Sequence, residues 1–220
     1  MMHISNLWNK LFNKAASIRD KERCSSSNHF YKLIHVLIKL RRNLLPDEFS
    51  PTGDYEDKIR YEAMAFLLLS HAELEIYFEE SARAIYDNHK QKWKNNEFSA
   101  SFHSFCLAYL LKESKTIKNK TKISGILEHL TKVYFAIINK NNGIKSTDIK
   151  AMFEPWGVEI EKHNLLLVNL DNHGSKRGNT AHKSTQITIL NIDPKTVYQE
   201  LVILIKELRE FDKEIQPLLN

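Results

Sequence analysis

Ile59-Arg-Tyr-Glu-Ala-Met-Ala-Phe-Leu-Leu-Leu-Ser-His-Ala-Glu-Leu-Glu-Ile-Tyr-Phe-Glu-Glu-Ser-Ala82 is the stretch that decides the fold. Within it Ile59, Ala63, Phe66, Leu67, Ser70, Leu74, Tyr77, Phe78 and Ala82 recur at steps of three and four. That is the spacing of a bundle helix that buries one stripe against its neighbours. A long helix is predicted from about Asp54 to Trp93. Further helices are predicted around it: Asn28 to Leu45, Glu97 to Lys112, Ile123 to Asn139, a short one from Ser146 to Phe153, and Glu159 to Asn172. Pro46 and Ser50-Pro51-Thr52-Gly53 stop the first of these, Asn141-Asn142-Gly143 ends the Ile123 helix, and Pro155-Trp156-Gly157 breaks the short one. The last helix has the plainest punctuation, with Asp193 as N-cap, Pro194 in its first turn, and Val197, Leu201, Leu204, Ile205, Leu208 and Phe211 following. Only Gln186 to Leu190 alternates like a strand, and it is too short to found a sheet. The fold class is all-α, a helical bundle with a small irregular segment before the last helix.

The ends and the composition bound the rest. Ile4, Leu7, Trp8, Leu11, Phe12 and Ala15 form a narrow apolar stripe, so a short amphipathic helix is predicted at the start. Its polar face is poor in Lys and Arg, which favours docking on the core or on a partner over lying on a membrane. The polar run up to Ser25-Ser26-Ser27 reads as a linker, dividing the chain into residues 1–27 and a helical domain over 28–220. No apolar run is long enough to span a bilayer, and the N-terminus lacks signal-peptide character, so a cytoplasmic protein without membrane association is expected. Two cysteines make no disulfide framework: Cys106 sits among apolar residues and is expected to pack, while Cys24 lies in a polar segment. A net charge of +5 and a pI near 9.0 permit an anionic partner without requiring one. The basic run Lys112 to Lys122, with five lysines and one glutamate, is expected to be a solvated loop, with contact to an RNA backbone as the alternative.

Chemistry concentrates in Asn169-Leu-Asp-Asn-His-Gly-Ser-Lys-Arg-Gly-Asn-Thr-Ala-His-Lys-Ser184, between the last two long helices. The two glycines, Gly174 and Gly178, are read as places where the backbone turns and a ligand approaches closely. Arg177 supplies a fork of donors that can hold two phosphate oxygens. His182 can take the proton of a ribose 2′-hydroxyl or protonate a departing oxygen. Such a pair needs neither metal nor cofactor, and no histidine motif for a metal is present. In a straight helix, positions five apart lie about 140° apart around the axis, so Arg177 and His182 do not share a face. Two copies meeting at a two-fold axis would bring two of each to one cleft. Asn179, Lys176 and His173 are accessory candidates. Ser70, His71 and Glu73 sit on a mostly apolar helix, where a buried, hydrogen-bonded histidine is expected. His71 or Glu73 could also orient the motif from behind. Trp93 and Trp156, like Trp8, are read as core or interface anchors.

Arg177-Gly-Asn-Thr-Ala-His182 resembles the R-x4-H motif of the HEPN superfamily. Ser70-His71-Ala72-Glu73-Leu74-Glu75, Gly157-Val158 and the leucine-rich helix before the arginine are similar to its RiboL-PSP type. The similarity covers about Asn28 to Pro217. It implies a homodimeric α-bundle of HEPN type that acts as a metal-independent endoribonuclease on RNA, with Arg177 and His182 as the catalytic pair. It further implies a toxin or phage-defence effector restrained by a protein antitoxin or other regulatory partner. The alternative is a HEPN module without catalysis that binds RNA or a protein. A purely structural helical protein, with an accidental motif, is the third reading. One departure stands out: the family usually has a polar residue directly after the arginine, whereas here Gly178 stands there. Either Asn179 takes over that role or the site is weakened.

Overall fold

The computed structural model describes residues 26–113, 122–182 and 192–220; of residues 179–182 it describes the helical backbone only. The helices are α1 (Asn28–Leu44), α2 (Asp57–Lys94), α3 (Ala100–Lys112), α4 (Ile123–Asn139), α5 (Ser146–Phe153), α6 (Asn164–His182) and α7 (Pro194–Leu219). Short 3₁₀ turns, Glu154–Trp156 and Ile160–His163, join α5 to α6. Among the described residues no strand forms, and no helix is long and apolar enough to cross a membrane. The all-α bundle expected from the periodicity is the fold. The predicted N-terminal helix, Cys24, Trp8, the lysines between 114 and 121, Lys183 and the Gln186–Leu190 run lie outside the described residues.

α2 is the axis of the bundle. Its 38 residues extend about 57 Å at 1.5 Å per residue, and α1, α4, α5, α6 and α7 all pack on it. The predicted stripe is what it buries: Ala63, Phe66, Leu67, Ser70, Leu74, Tyr77, Phe78 and Ala82 are all buried. At the far end of α2 the 3₁₀ turn inserts Trp156, which stacks on Phe105 at 4.3 Å and donates from its indole N–H to the Tyr134 hydroxyl at 2.9 Å. Trp156 is therefore the core anchor the sequence suggested. Trp93 packs part-buried against the same core, and Cys106 packs beside it with its thiol pushed up to about 11 by burial.

Ser26 and Ser27, the last residues of the expected linker, are buried. Ser27 caps α1 by accepting from the Phe30 amide at 3.1 Å. Its own amide donates to the carboxylate of Asp212 on α7 at 2.7 Å, its hydroxyl donates to the other oxygen, and the Tyr77 hydroxyl donates to that oxygen at 2.8 Å. Asp212 is fully buried, and burial pushes its carboxyl up despite these donors. One serine thus starts α1 and ties it to α2 and α7. Ser27→Ala is expected to lower stability by about 1–2 kcal/mol, read from the urea midpoint. An unchanged midpoint would mean that the cap and its carboxylate contact contribute nothing.

The segment around the candidate motif departs from expectation. α6 starts at Asn164, later than Glu159, because Ile160–His163 forms a tighter 3₁₀ turn first. It then runs helically through Gly174 and Gly178 to His182, where turning backbone was expected. A glycine inside a helix costs only about 0.5–1 kcal/mol relative to alanine, which packing against α2 outweighs. Gly174 lies where the two helices cross: a Cβ there would stand 3.7 Å from His71 Cε1 and 4.0 Å from Ile144. Its missing side chain serves close packing rather than a turn.

Candidate functional site

The site grows out of the inward face of α6. Leu166, Leu170, His173, Gly174 and Arg177 fall on one face at helical spacing. Leu166 and Leu170 are core residues. One turn later the same face carries imidazole, bare backbone and guanidinium instead of leucine. Opposite them, α2 offers Ser70, His71, Leu74 and Glu75, while the turn after α4 brings in Gly143 and Ile144.

His71 and His173 meet across this seam. Both are buried, at 3% and 4% exposure, and their rings stack with centroids 5.8 Å apart and planes 12° from parallel. Gly143 also approaches His71. Its φ of +147° suits glycine, and a Cβ there would stand 3.4 Å from His71 Nε2. Gly143→Ala is expected to cost about 1–3 kcal/mol through backbone strain. Thermal denaturation of that variant checks this, and an unshifted midpoint would contradict it. Burial, with a smaller contribution from the Arg177 guanidinium, lowers His71 to about 4. Burial first, then His71 and Lys176, lowers His173 to about 3. Both rings are neutral near pH 7. A buried, hydrogen-bonded His71 was expected, but its Nδ1, like His173 Nε2, has no hydrogen-bond partner among the described residues. Such orphaned polar atoms are uncommon in a folded interior.

Arg177 stands above this pair, half-buried, and its charge acts on both His71 and Glu75. Among the described residues it forms no hydrogen bond and no ion pair. Glu75 is half-buried one turn after His71. Burial raises its carboxyl, Glu79 and Asp148 add to the rise, and Arg177 and the Gly143 amide oppose it. Glu79 is engaged elsewhere, accepting from Asn141 Nδ2 at 3.0 Å and lying 3.9 Å from Arg83. Asp171 of α6 accepts from the Ser146 amide at 2.8 Å and so fastens the start of α5 to the motif helix.

Of the sequence candidates, Arg177, His173 and Lys176 have described side chains. Arg177 lies in the seam with His71, Glu75 and His173. His173 is buried beneath the arginine rather than exposed beside it, so it supports the seam and is closed to a large substrate. Lys176 points the other way and pairs with Glu200 on α7. His182 ends α6 about 140° around and about 7.5 Å along the axis from Arg177. Its side chain and that of Asn179 lie outside the described residues. Glu73 is half-buried and takes no part in the seam contacts. Glu75, two positions on, lies within reach of the Arg177 charge; its signal in the sequence was the four-residue step from His71, which places both on one helix face. Among the described residues no group of three or more His, Cys, Asp or Glu is placed to hold a metal ion.

No protein-family model, no curated protein and no solved structure matches this chain.

Proposed function

We propose that this chain is a metal-independent endoribonuclease of HEPN type, working as a homodimer in the cytoplasm. The observation that carries the proposal is Arg177: a cation on a core-facing position of α6, unpaired among the described residues, five positions before a histidine. An arginine held half-buried without a carboxylate partner keeps its donor fork available for a phosphate. In the reaction, Arg177 binds the non-bridging oxygens of a phosphodiester and stabilises the added charge as the 2′-hydroxyl attacks phosphorus. His182 transfers a proton. Because positions 177 and 182 lie on different faces of one helix, a second copy supplies the complementary set across a two-fold axis. A toxin or phage-defence effector held in check by a protein partner fits such an activity.

Product chemistry tests the proposal. RNA incubated with the purified protein in EDTA is expected to yield fragments ending in 2′,3′-cyclic phosphate and 5′-hydroxyl. A single 2′-deoxynucleotide at the cleavage position should block that cut. Intact RNA bound by the protein would instead favour a non-catalytic RNA-binding module, and cleavage at the deoxy position would exclude attack by the 2′-hydroxyl.

A further inference from the structure

We propose that the cleft between the end of α2, α3 and α4 binds a small planar aromatic carboxylate, with its ring on an aromatic wall and its charge at Lys90 and Lys94. The site stands apart from the seam of α2 and α6 and does not depend on the ribonuclease reading. Lys90 follows His71 by nineteen positions on α2, about 28 Å along the axis. The cleft encloses about 270 Å³. Ordinary ligand sites run from roughly 300 to 1,000 Å³, so this one suits a body of one or two fused rings. Its wall is built from four rings in series. Tyr86 meets Phe105 edge-on with centres 5.8 Å apart, Phe105 stacks on Phe102 at 6.1 Å, and Phe102 meets Trp93 at 6.4 Å. Phe105 stacks in turn on the buried Trp156, which holds the wall in place before any ligand arrives.

The polar groups of the cleft decide the class of ligand. The Tyr86 hydroxyl donates to Thr131 Oγ1, which itself donates to the Leu127 carbonyl at 2.6 Å. Both hydroxyl protons are thereby committed, so the part of a ligand that lies against them is apolar. The mouth is different. Lys90 and Lys94 stand one helical turn apart and form no ion pair among the described residues. The Lys90 ammonium lies 5.4 Å from the centre of the Tyr86 ring, which keeps it beside the aromatic wall. Glu128, the carboxylate of the cleft lining, is already paired with Lys132 at 2.7 Å. The mouth therefore carries uncompensated positive charge above an apolar interior, the complement of an anion with an apolar body. Flat aromatic walls favour a planar ring over a flexible chain, and a carboxylate can accept from both ammonium groups.

The test is calorimetric titration of the full chain with naphthoate, with naphthalenemethanol, which lacks the charge, and with octanoate, which lacks the ring. The same titrations are made on the double variant Lys90→Gln with Lys94→Gln and on Leu127→Trp, with a thermal midpoint for each. Naphthoate is expected to bind the wild type saturably with a Kd below about 1 mM. The alcohol and octanoate should each bind at least about tenfold more weakly. The lysine variant should weaken naphthoate by about tenfold or more and leave the alcohol unchanged. Leu127→Trp should abolish binding by filling the cleft. No saturable binding to the wild type, or undiminished binding by the lysine variant, overturns the proposal. Equal affinity for the alcohol overturns the anion, and tighter binding of octanoate overturns the aromatic class. Retained binding by a folded Leu127→Trp protein places the ligand elsewhere and overturns the cleft. If that variant does not fold, the lysine variant and the three probes decide.

Discussion

Arg177→Ala is expected to lower RNA cleavage by about 10²–10³-fold, the loss that follows removal of one preorganised donor to a developing oxyanion. That corresponds to roughly 2.7–4 kcal/mol of transition-state stabilisation. The folded state should suffer much less. Arg177 is half-buried and makes no hydrogen bond or ion pair among the described residues, so stability is expected to change by no more than about 0.5 kcal/mol. Arg177→Lys separates charge from geometry, since lysine keeps the cation but cannot span two phosphate oxygens. Most of the rate loss should remain in that variant. The guanidinium is also one cause of the lowered His71 and counteracts the rise of Glu75. Its removal should therefore move both groups upward, visible as a shift of the pH profile in whatever activity survives. Full cleavage by a folded Arg177→Ala protein would remove the arginine from the chemistry.

Acid should unfold this protein through the His71–His173 stack. Both rings are held neutral in the fold, His71 at about 4 and His173 at about 3, against the ordinary 6.5. A group whose folded pKa is depressed binds fewer protons folded than unfolded at intermediate pH. The stability it contributes is complete above 6.5 and is lost as pH falls through 6.5 toward those lower values. The loss over that window should amount to several kcal/mol, a large part of the stability of an ordinary domain. Asp212 and Glu75 work in the opposite sense. Their raised carboxyls contribute stability that is present at low pH and lost as pH rises through their folded values. Urea midpoints recorded from neutral to mildly acidic pH test the balance. They should fall steeply in the wild type and more gently in His173→Leu, which removes the more deeply buried imidazole. A profile as steep in His173→Leu as in the wild type would show that the stack does not govern acid lability.

Much of the scaffold was legible because its punctuation is local. α4 and α5 begin and end at the residues predicted, and Asp193 caps α7 by accepting from the Thr196 amide at 3.0 Å. The stripe of α2 was legible because an uninterrupted helix must bury whatever recurs at its period. The site was less so. Gly174 and Gly178 carry a local preference for turning, and the partner that overrides it at Gly174, His71, comes from a distant part of the chain. The same separation hid the His71–His173 stack: each residue alone reads as a common helix or loop histidine. Glu75 was visible as part of Ser70-His71-Ala72-Glu73-Leu74-Glu75, but only the crossing of α6 over α2 distinguishes it from Glu73. Arg177 was singled out by motif, and the core-facing phase of α6 supplies the physical reason for its half-buried position.

The most direct measurement is cleavage of total RNA in EDTA by the wild type, Arg177→Ala and His182→Ala proteins at matched folded concentration. The expected result is fragmentation by the wild type that either substitution reduces by at least about 10²-fold. Intact RNA with the wild type, or equal fragmentation by all three, would contradict a ribonuclease built on Arg177 and His182.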